Sequence, residues 1–280
     1  MKVKISADST CDLPKALIEK YDIGIMPLYI IRAVESLKDG EEITTPEVFD
    51  YTARTGELCG TAAVTIMDYV NAWTEWKKEY DAIVHVSLSS ELSASYSNAC
   101  IAAQEVGDVW VVDSRNLSTG TGHLVLDAGE MAEKGMDAAD IAKALESLLT
   151  KLDVSFVLDT LIYLRKGGRC SALAALGANL LSLKPCIEVR DGTMDLGKKY
   201  RGKLDKAFLQ YITDRLKDRD DIDTRRIFIT DSGISEEMRA VLKETVLSCQ
   251  PFEQVYFSRS GCVISGHCGP WCMGILYYHK

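Results

Sequence analysis

Hydroxyl side chains crowd several short stretches of this 280-residue chain, each placed where an apolar run gives way to a helix-forming one. The densest is Ser87-Leu88-Ser89-Ser90-Glu91-Leu92-Ser93-Ala94-Ser95-Tyr96. Hydroxyls at Ser89, Ser90 and Ser93 can donate short hydrogen bonds to a carboxylate. The free N–H groups at the start of the following helix would add to the attraction. The same serines serve as helix caps, and the segment taken alone favours that duty. Ala7-Asp8-Ser9-Thr10 is a similar junction, where Asp8 would cap or orient its neighbours. Thr61 stands in CGTAAVT ahead of a helix whose natural cap is Thr65, which leaves Thr61 without an obvious structural duty. Gly266-His267-Cys268-Gly269-Pro270 reads as a glycine-bracketed histidine in a loop. Such a histidine can donate to a carboxylate or accept from a hydroxyl near neutral pH.

Other chemistries fit these residues less well. Cys262, His267, Cys268 and Cys272 lack the CxxC-like pairing of a zinc site. The nine cysteines are odd in number and scattered, as expected of reduced core residues in a cytoplasmic protein. Gly120-Thr121-Gly122 lacks the third glycine of a dinucleotide loop, and no GxxxxGK[ST] occurs. A lipid-ester hydrolase built on Ser93, His267 and Asp8 is the enzymatic alternative, but no GxSxG elbow is present. No cofactor or metal is expected. The net charge of −9 argues against nucleic acid or an anionic membrane as a general partner. Within this acidic chain Lys198, Lys199, Arg201, Lys203 and Lys206 crowd one segment, either a solvated basic face or a contact for a partner.

The elements that must position these groups alternate in type. Val3–Ser6, Ala82–Ser87 and Val109–Asp113 read as strands, with helices over Leu13–Tyr21, Thr45–Thr55, Ile66–Tyr80, Ser93–Glu105, Ser118–Lys134 and Ala138–Leu152. Ile25–Ile31 is a further apolar run. That order implies a parallel sheet with right-handed crossovers. After Leu152 the pattern restarts with a strand at Val154–Leu158, a short helix or turn at Leu161–Lys166 and a helix over Ser171–Leu183. A hairpin follows, Lys184–Arg190 and Thr193–Lys198 around Asp191-Gly192, then a helix over Lys203–Lys217, a strand at Arg226–Thr230, a helix at Ser235–Ser248 and strands at Gln254–Ser258 and Ile275–Tyr278. The expectation is an α/β protein of two domains. Residues 1–152 form a parallel-sheet domain carrying Thr61 and Ser93; residues 153–280 form an α/β domain with a mixed sheet carrying Arg169, Arg201 and His267. The N-terminus MKVKISADST is a strand start and not a signal peptide, and no apolar run approaches the roughly 18 residues of a membrane span.

Several long segments resemble the DegV family of bacterial fatty-acid-binding proteins: ADSTCDLP, LSSELSASY, Asp113-Ser114 followed by STGTGHL, LDTLIYLRKGGRCS, LKPCIEVRDG and GHCGPWCMGI. Their order and spacing carry the resemblance over essentially the whole chain. It implies a non-catalytic lipid carrier that buries a long-chain fatty acid between two domains. The carboxylate would be held by Thr61 and Ser93, with His267 close by and Arg169 in the same network. Some members present the acid to a separate fatty-acid kinase, which makes an acyl-phosphate, and Arg201 matches an arginine tied to that step. The sequence departs from the family pattern in three places. Thr61-Ala62-Ala63-Val64-Thr65 replaces a TSQPS-like segment, Leu92-Ser93-Ala94-Ser95-Tyr96 an LSGTY-like one, and GHCGPWCMGI puts Trp271 where a small residue is expected. Trp271 would then narrow the pocket, select a shorter acid or pack elsewhere. Met26, Leu28, Ile30, Leu158, Leu161, Ala172, Leu173, Leu176, Leu180 and Ile264 are candidates for the tunnel, and each is also a plausible core residue.

Overall fold

The computed structural model describes residues 1–171 and 183–280. The first part of the chain runs β1 (Val3–Asp8), α1 (Lys15–Lys20), β2 (Gly24–Met26), β3 (Tyr29–Arg32), β4 (Glu35–Lys38), α2 (Thr45–Thr55), β5 (Gly60–Ala62), α3 (Ile66–Trp76), β6 (Ala82–Ser87), α4 (Ser95–Val106), β7 (Val109–Asp113), α5 (Ser118–Glu133) and α6 (Ala138–Leu148). The rest runs β8 (Leu152–Val157), α7 (Ile162–Gly167), β9 (Leu183–Arg190), β10 (Thr193–Arg201), α8 (Leu204–Leu216), β11 (Ile222–Asp231), α9 (Glu236–Cys249), β12 (Gln254–Arg259), α10 (Cys262–Cys268) and β13 (Met273–His279).

The fold is α/β. A four-stranded parallel sheet has the order β2-β1-β6-β7, and a six-stranded mixed sheet has the order β10-β9-β8-β13-β11-β12. Every residue of β6 is buried, as befits a central parallel strand covered by helices on both faces. Local chemistry sets the helix starts. Thr44 with Glu47 and Thr65 with Asp68 form capping boxes at α2 and α3, and Gly56 (φ 75°) ends α2 in the left-handed conformation. Asp191 (φ 48°) and Gly192 (φ 82°) make the two-residue turn of the β9–β10 hairpin.

A third sheet, β4-β3-β5, is antiparallel and was not anticipated. The apolar run Ile25–Ile31 is broken at Pro27-Leu28, so that β2 stays in the parallel sheet while β3 leaves it. Strands of three or four residues carry too few positions to show an alternation. Ala138–Leu152 is likewise shorter as a helix than its pattern suggests, because Leu152 already opens β8. The helix expected over Ser171–Leu183 lies almost wholly outside the described residues, and so do the tunnel candidates Ala172, Leu173, Leu176 and Leu180.

Helix α5 lies between the two larger sheets, in contact with β1 and β6 on one side and β8, β11 and β13 on the other. Its residues from Ser118 to Gly129 are all buried. The small residues of STGTG permit the close approach: a Cβ on Gly122 would lie 2.8 Å from the Cys11 carbonyl oxygen, and one on Gly120 would lie 2.8 Å from Val154 Cγ2. His123 then anchors the helix. Its Nδ1 accepts from Arg226 Nε (3.1 Å), which makes Nε2 the donor to the Leu276 carbonyl (2.9 Å). Arg226 also reaches Asp127 (2.5 Å) and Glu130 (3.1 Å), and Tyr278 donates to Asp127 (2.8 Å). Burial, and after it the Arg226 charge, hold His123 neutral, well below its usual range.

Candidate functional site

Thr61 sits at the centre of β5, directly opposite Ile30 of β3. Cross-strand partners share a face, and Ile30 is fully buried, so the Thr61 side chain turns inward while Gly60 and Ala62 stay exposed. There its Oγ1 lies 3.0 Å from His267 Nε2. His267 is not on a loop, as its glycine-rich surroundings suggested. It occupies the last turn of α10, which Gly269 (φ 79°) terminates.

Two glycines let α7 pack beside α10. A Cβ on Gly167 would stand 2.2 Å from His267 Nδ1, and one on Gly269 would stand 2.5 Å from the Tyr163 ring. Gly168 (φ 69°) caps α7 and redirects the chain so that Arg169 follows immediately, its Nη1 donating to the Gly167 carbonyl (2.9 Å). Burial, and after it the Arg169 charge, push His267 down to about 4, so the imidazole is neutral at pH 7. One ring nitrogen therefore donates and the other accepts. The buried Nδ1 has no hydrogen-bond partner among the described residues.

Ser93 comes from the turn between β6 and α4. Its Oγ accepts the backbone N–H of Ser95 (3.1 Å) and lies 3.0 Å from Ser95 Oγ. Ser93 thus covers the start of α4 and lines the site at once; the two duties considered for it are compatible. Thr61, Ser93, Arg169 and His267, from four separate segments, line one cavity of about 60 Å³. By this measure roughly 10–15 Å³ holds one water, so several atoms fit. The other walls are apolar, among them Leu28, Leu88, Leu92, Leu117, Met194 and Ile264. A second cavity of about 20 Å³ shares Leu117, Ile264 and Cys268 with the first and reaches Phe156 and Leu276 of the six-stranded sheet. Outward, Thr61, Arg169 and His267 also border a wider recess of about 400 Å³, together with Tyr163 and Lys166. The three polar residues therefore stand where an apolar interior meets a wetter mouth.

Several sequence-based expectations are corrected here. Of the tunnel candidates that the structure describes, Leu28 and Ile264 line the cavity, whereas Met26, Ile30 and Leu158 are core residues and Leu161 packs against that core. The sequence did not single out Leu117, Met194 or Val263 as lining; ordinary apolar residues carry no local sign of facing a void. Trp271 does not line the cavity, and its side chain is 51% exposed. Ser89 donates to the Gly192 carbonyl (2.8 Å), and Ser90 is exposed, so neither joins Ser93. Asp8 is no partner of His267. It is fully buried and accepts from Tyr69 (2.5 Å), Ser87 (2.7 Å) and the Leu88 N–H (2.8 Å), with His85 Nε2 at 3.3 Å. Burial raises the Asp8 carboxyl, but His85, Tyr69 and Ser87 outweigh it and hold the group below the usual carboxylate range. The Ser93–His267–Asp8 arrangement of a hydrolase is thus not assembled. Arg201 is exposed at the end of β10 opposite Leu183 and does not line the cavity.

Comparison with known proteins agrees with this architecture. A family model described as "Uncharacterised protein, DegV family" matches residues 2–280. A DegV domain-containing protein of Clostridium perfringens is 34% identical over 213 residues, 75% of this chain and 76% of its own. A protein of Thermotoga maritima named as a fatty acid-binding protein is 29% identical and aligns with 98% of this chain and 96% of its own. A solved structure of a DegV family protein from Thermus thermophilus, described as showing fatty acid binding, superposes with a TM-score of 0.89 at 31% identity and full coverage of both chains. The chain belongs to the DegV family.

Proposed function

We propose that this protein binds a long-chain fatty acid, with its carboxylate at Thr61, Ser93, His267 and Arg169 and its acyl tail in the adjoining apolar cavities. The observation that carries this reading is the convergence of four polar residues from distant segments on one otherwise apolar cavity, three of them also bordering the wider recess. An anion in such a place needs donors on nearly every lone pair, since an unpaired buried charge is very costly. The arrangement can supply them. With His267 Nε2–H donating to Thr61 Oγ1, the Thr61 hydroxyl proton is left to point at the carboxylate. Ser93 Oγ–H and the Arg169 guanidinium add further donors. The tail contributes roughly 0.8 kcal/mol per buried CH₂ before ordering costs. The division of labour follows the chain, with residues 1–152 bringing Thr61 and Ser93 and residues 153–280 bringing Arg169 and His267.

The same reading makes the protein a carrier. The wider recess beyond Thr61 and His267 leaves the carboxylate end approachable from outside, as delivery to a separate fatty-acid kinase for acyl-phosphate formation would require. Exposed Arg201 at the end of β10 is the docking point in this scheme. No cofactor enters it, and a cytoplasmic setting suits it. Delipidated protein titrated with hexadecanoic acid and examined by native mass spectrometry is expected to take up one acid per chain. Failure to bind any acid from octanoic to octadecenoic would refute the reading. Arg201→Glu is expected to keep acid binding and to lose phosphorylation by the kinase; loss of both would remove Arg201 from the docking role.

A further inference from the structure

The tip of the β9–β10 hairpin is fastened across the molecule to the turn that carries Ser93. Ser89 Oγ donates to the Gly192 carbonyl (2.8 Å), and Arg115 Nη2 donates to the Asp191 carbonyl. Arg115 is itself held in a costly posture. It has a left-handed backbone (φ 48°), its N–H is bound by Asp113 (2.9 Å), and its Nη1 contacts Glu91 (3.1 Å). The fit leaves no slack: a Cβ on Gly192 would lie 2.7 Å from Ser89 Oγ and 2.9 Å from Arg115 Nε, at a backbone φ of 82°. Two residues past the tip, Met194 is buried against the apolar cavity, and its carbonyl accepts from Cys170 Sγ (3.2 Å).

We propose that Arg115 is a positioning residue for the ligand: by pinning the Asp191-Gly192 tip to the Ser87–Ser93 turn, it holds Met194 against the acyl cavity and slows the release of a long-chain acid. The proposal rests on the reading that the acyl tail occupies that cavity. Arg115 is not among the residues that line the cavity. Its effect passes through the hairpin, and the hairpin's contact with the tail is Met194.

The test is the release of cis-parinaric acid into excess albumin by stopped-flow fluorescence. Arg115→Gln is expected to speed release about tenfold at a ligand-free thermal midpoint close to that of the parent; Gly192→Ala is expected to speed release by a similar factor with a lowered midpoint, since its Cβ meets Ser89 and Arg115 at a left-handed φ. Arg115→Lys, which keeps a donor, is expected to fall between them and the parent, and Arg54→Gln, which removes an exposed ion pair with Asp50 elsewhere, should release at the parent rate. Amide exchange over residues 189–196 of the ligand-free protein is expected to rise in the latch variants and not in Arg54→Gln. Should Arg115→Gln fail to fold, Ser89→Ala, which deletes one hydroxyl, carries the same expectation. Folded Arg115→Gln and Gly192→Ala proteins that release at the parent rate would overturn the proposal. If the parent binds no acid, the fatty-acid reading falls by itself, and unchanged exchange over 189–196 would overturn the latch independently.

Discussion

Among the polar contacts that join the parts of the chain before and after Leu152, the Arg226 and Thr61–His267 seams differ in how fully their hydrogen-bonding capacity is used. At the Arg226 seam, guanidinium, imidazole, two carboxylates and a phenol saturate one another: His123, Asp127, Glu130 and Tyr278 all have partners. At the Thr61–His267 seam, one contact of 3.0 Å is made and capacity is left over. Among the described residues His267 Nδ1 is unpartnered and Ser93 Oγ is engaged only with neighbouring Ser95. A saturated buried network serves to fix geometry, whereas an unsaturated one beside an apolar void is arranged for something to arrive. A fatty acid is the occupant proposed above for the second seam, and relatives in the family are described as fatty-acid-binding.

The largest expected effect breaks the first seam. Arg226→Ala would take from buried Asp127 its nearest ion-pair partner, leaving it Tyr278 and the more distant Arg225, and is expected to lower the unfolding free energy by about 3 kcal/mol in urea titrations. A change below about 1 kcal/mol would mean that this seam does not fix the two parts. The second seam should respond in the opposite manner. Thr61→Val keeps shape but removes the hydroxyl, and it is expected to weaken hexadecanoate binding about 10- to 100-fold, read by calorimetry, with little change in ligand-free stability.

A smaller effect concerns pH. His267 is held to about 4 when folded and titrates near its ordinary 6.5 when unfolded. Between these values the unfolded chain binds the additional proton. His267 therefore lowers stability progressively as pH falls from 6.5 toward 4 and has no effect above that window. His267→Asn is expected to flatten the stability profile there by up to about 1.4 kcal/mol per pH unit, measured by urea unfolding at several pH values. An unchanged profile would mean that the imidazole is not kept neutral by burial. The smallest effect is expected at Trp271. Its half-exposed side chain lies outside the cavity, so Trp271→Ala should alter acid affinity by less than about twofold. A tenfold change would put it on the ligand's path.

How much of this was legible in the sequence depended on the range of the interaction. AIVHVS and VWVVD announce strands, the first of them wholly buried and the second only in part, Thr65 announces a helix start, and Asp191-Gly192 announces a hairpin; each is a matter of a few adjacent residues. The β4-β3-β5 sheet was not legible, because its strands are too short to show a period. Helix α10 was hidden by glycines whose purpose is tertiary: Gly269 ends the helix and lies against Tyr163. The Thr61–His267 contact spans 206 positions, and no local pattern could reveal it; only the family resemblance put those two residues in one place. The same distance problem hid Arg226, Arg115 and Met194. Arg226 meets His123 across 103 positions and Arg115 meets Asp191 across 76, and the cavity that Met194 lines is built from segments throughout the chain.

The most direct measurement is a crystal structure of the delipidated protein reloaded with hexadecanoic acid. One carboxylate oxygen is expected within about 2.6–3.2 Å of Thr61 Oγ1 and Ser93 Oγ, with the tail running inward past Leu117 and Met194. An acid bound with its carboxylate elsewhere, or an unoccupied cavity beside an intact Thr61–His267 pair, would contradict the account.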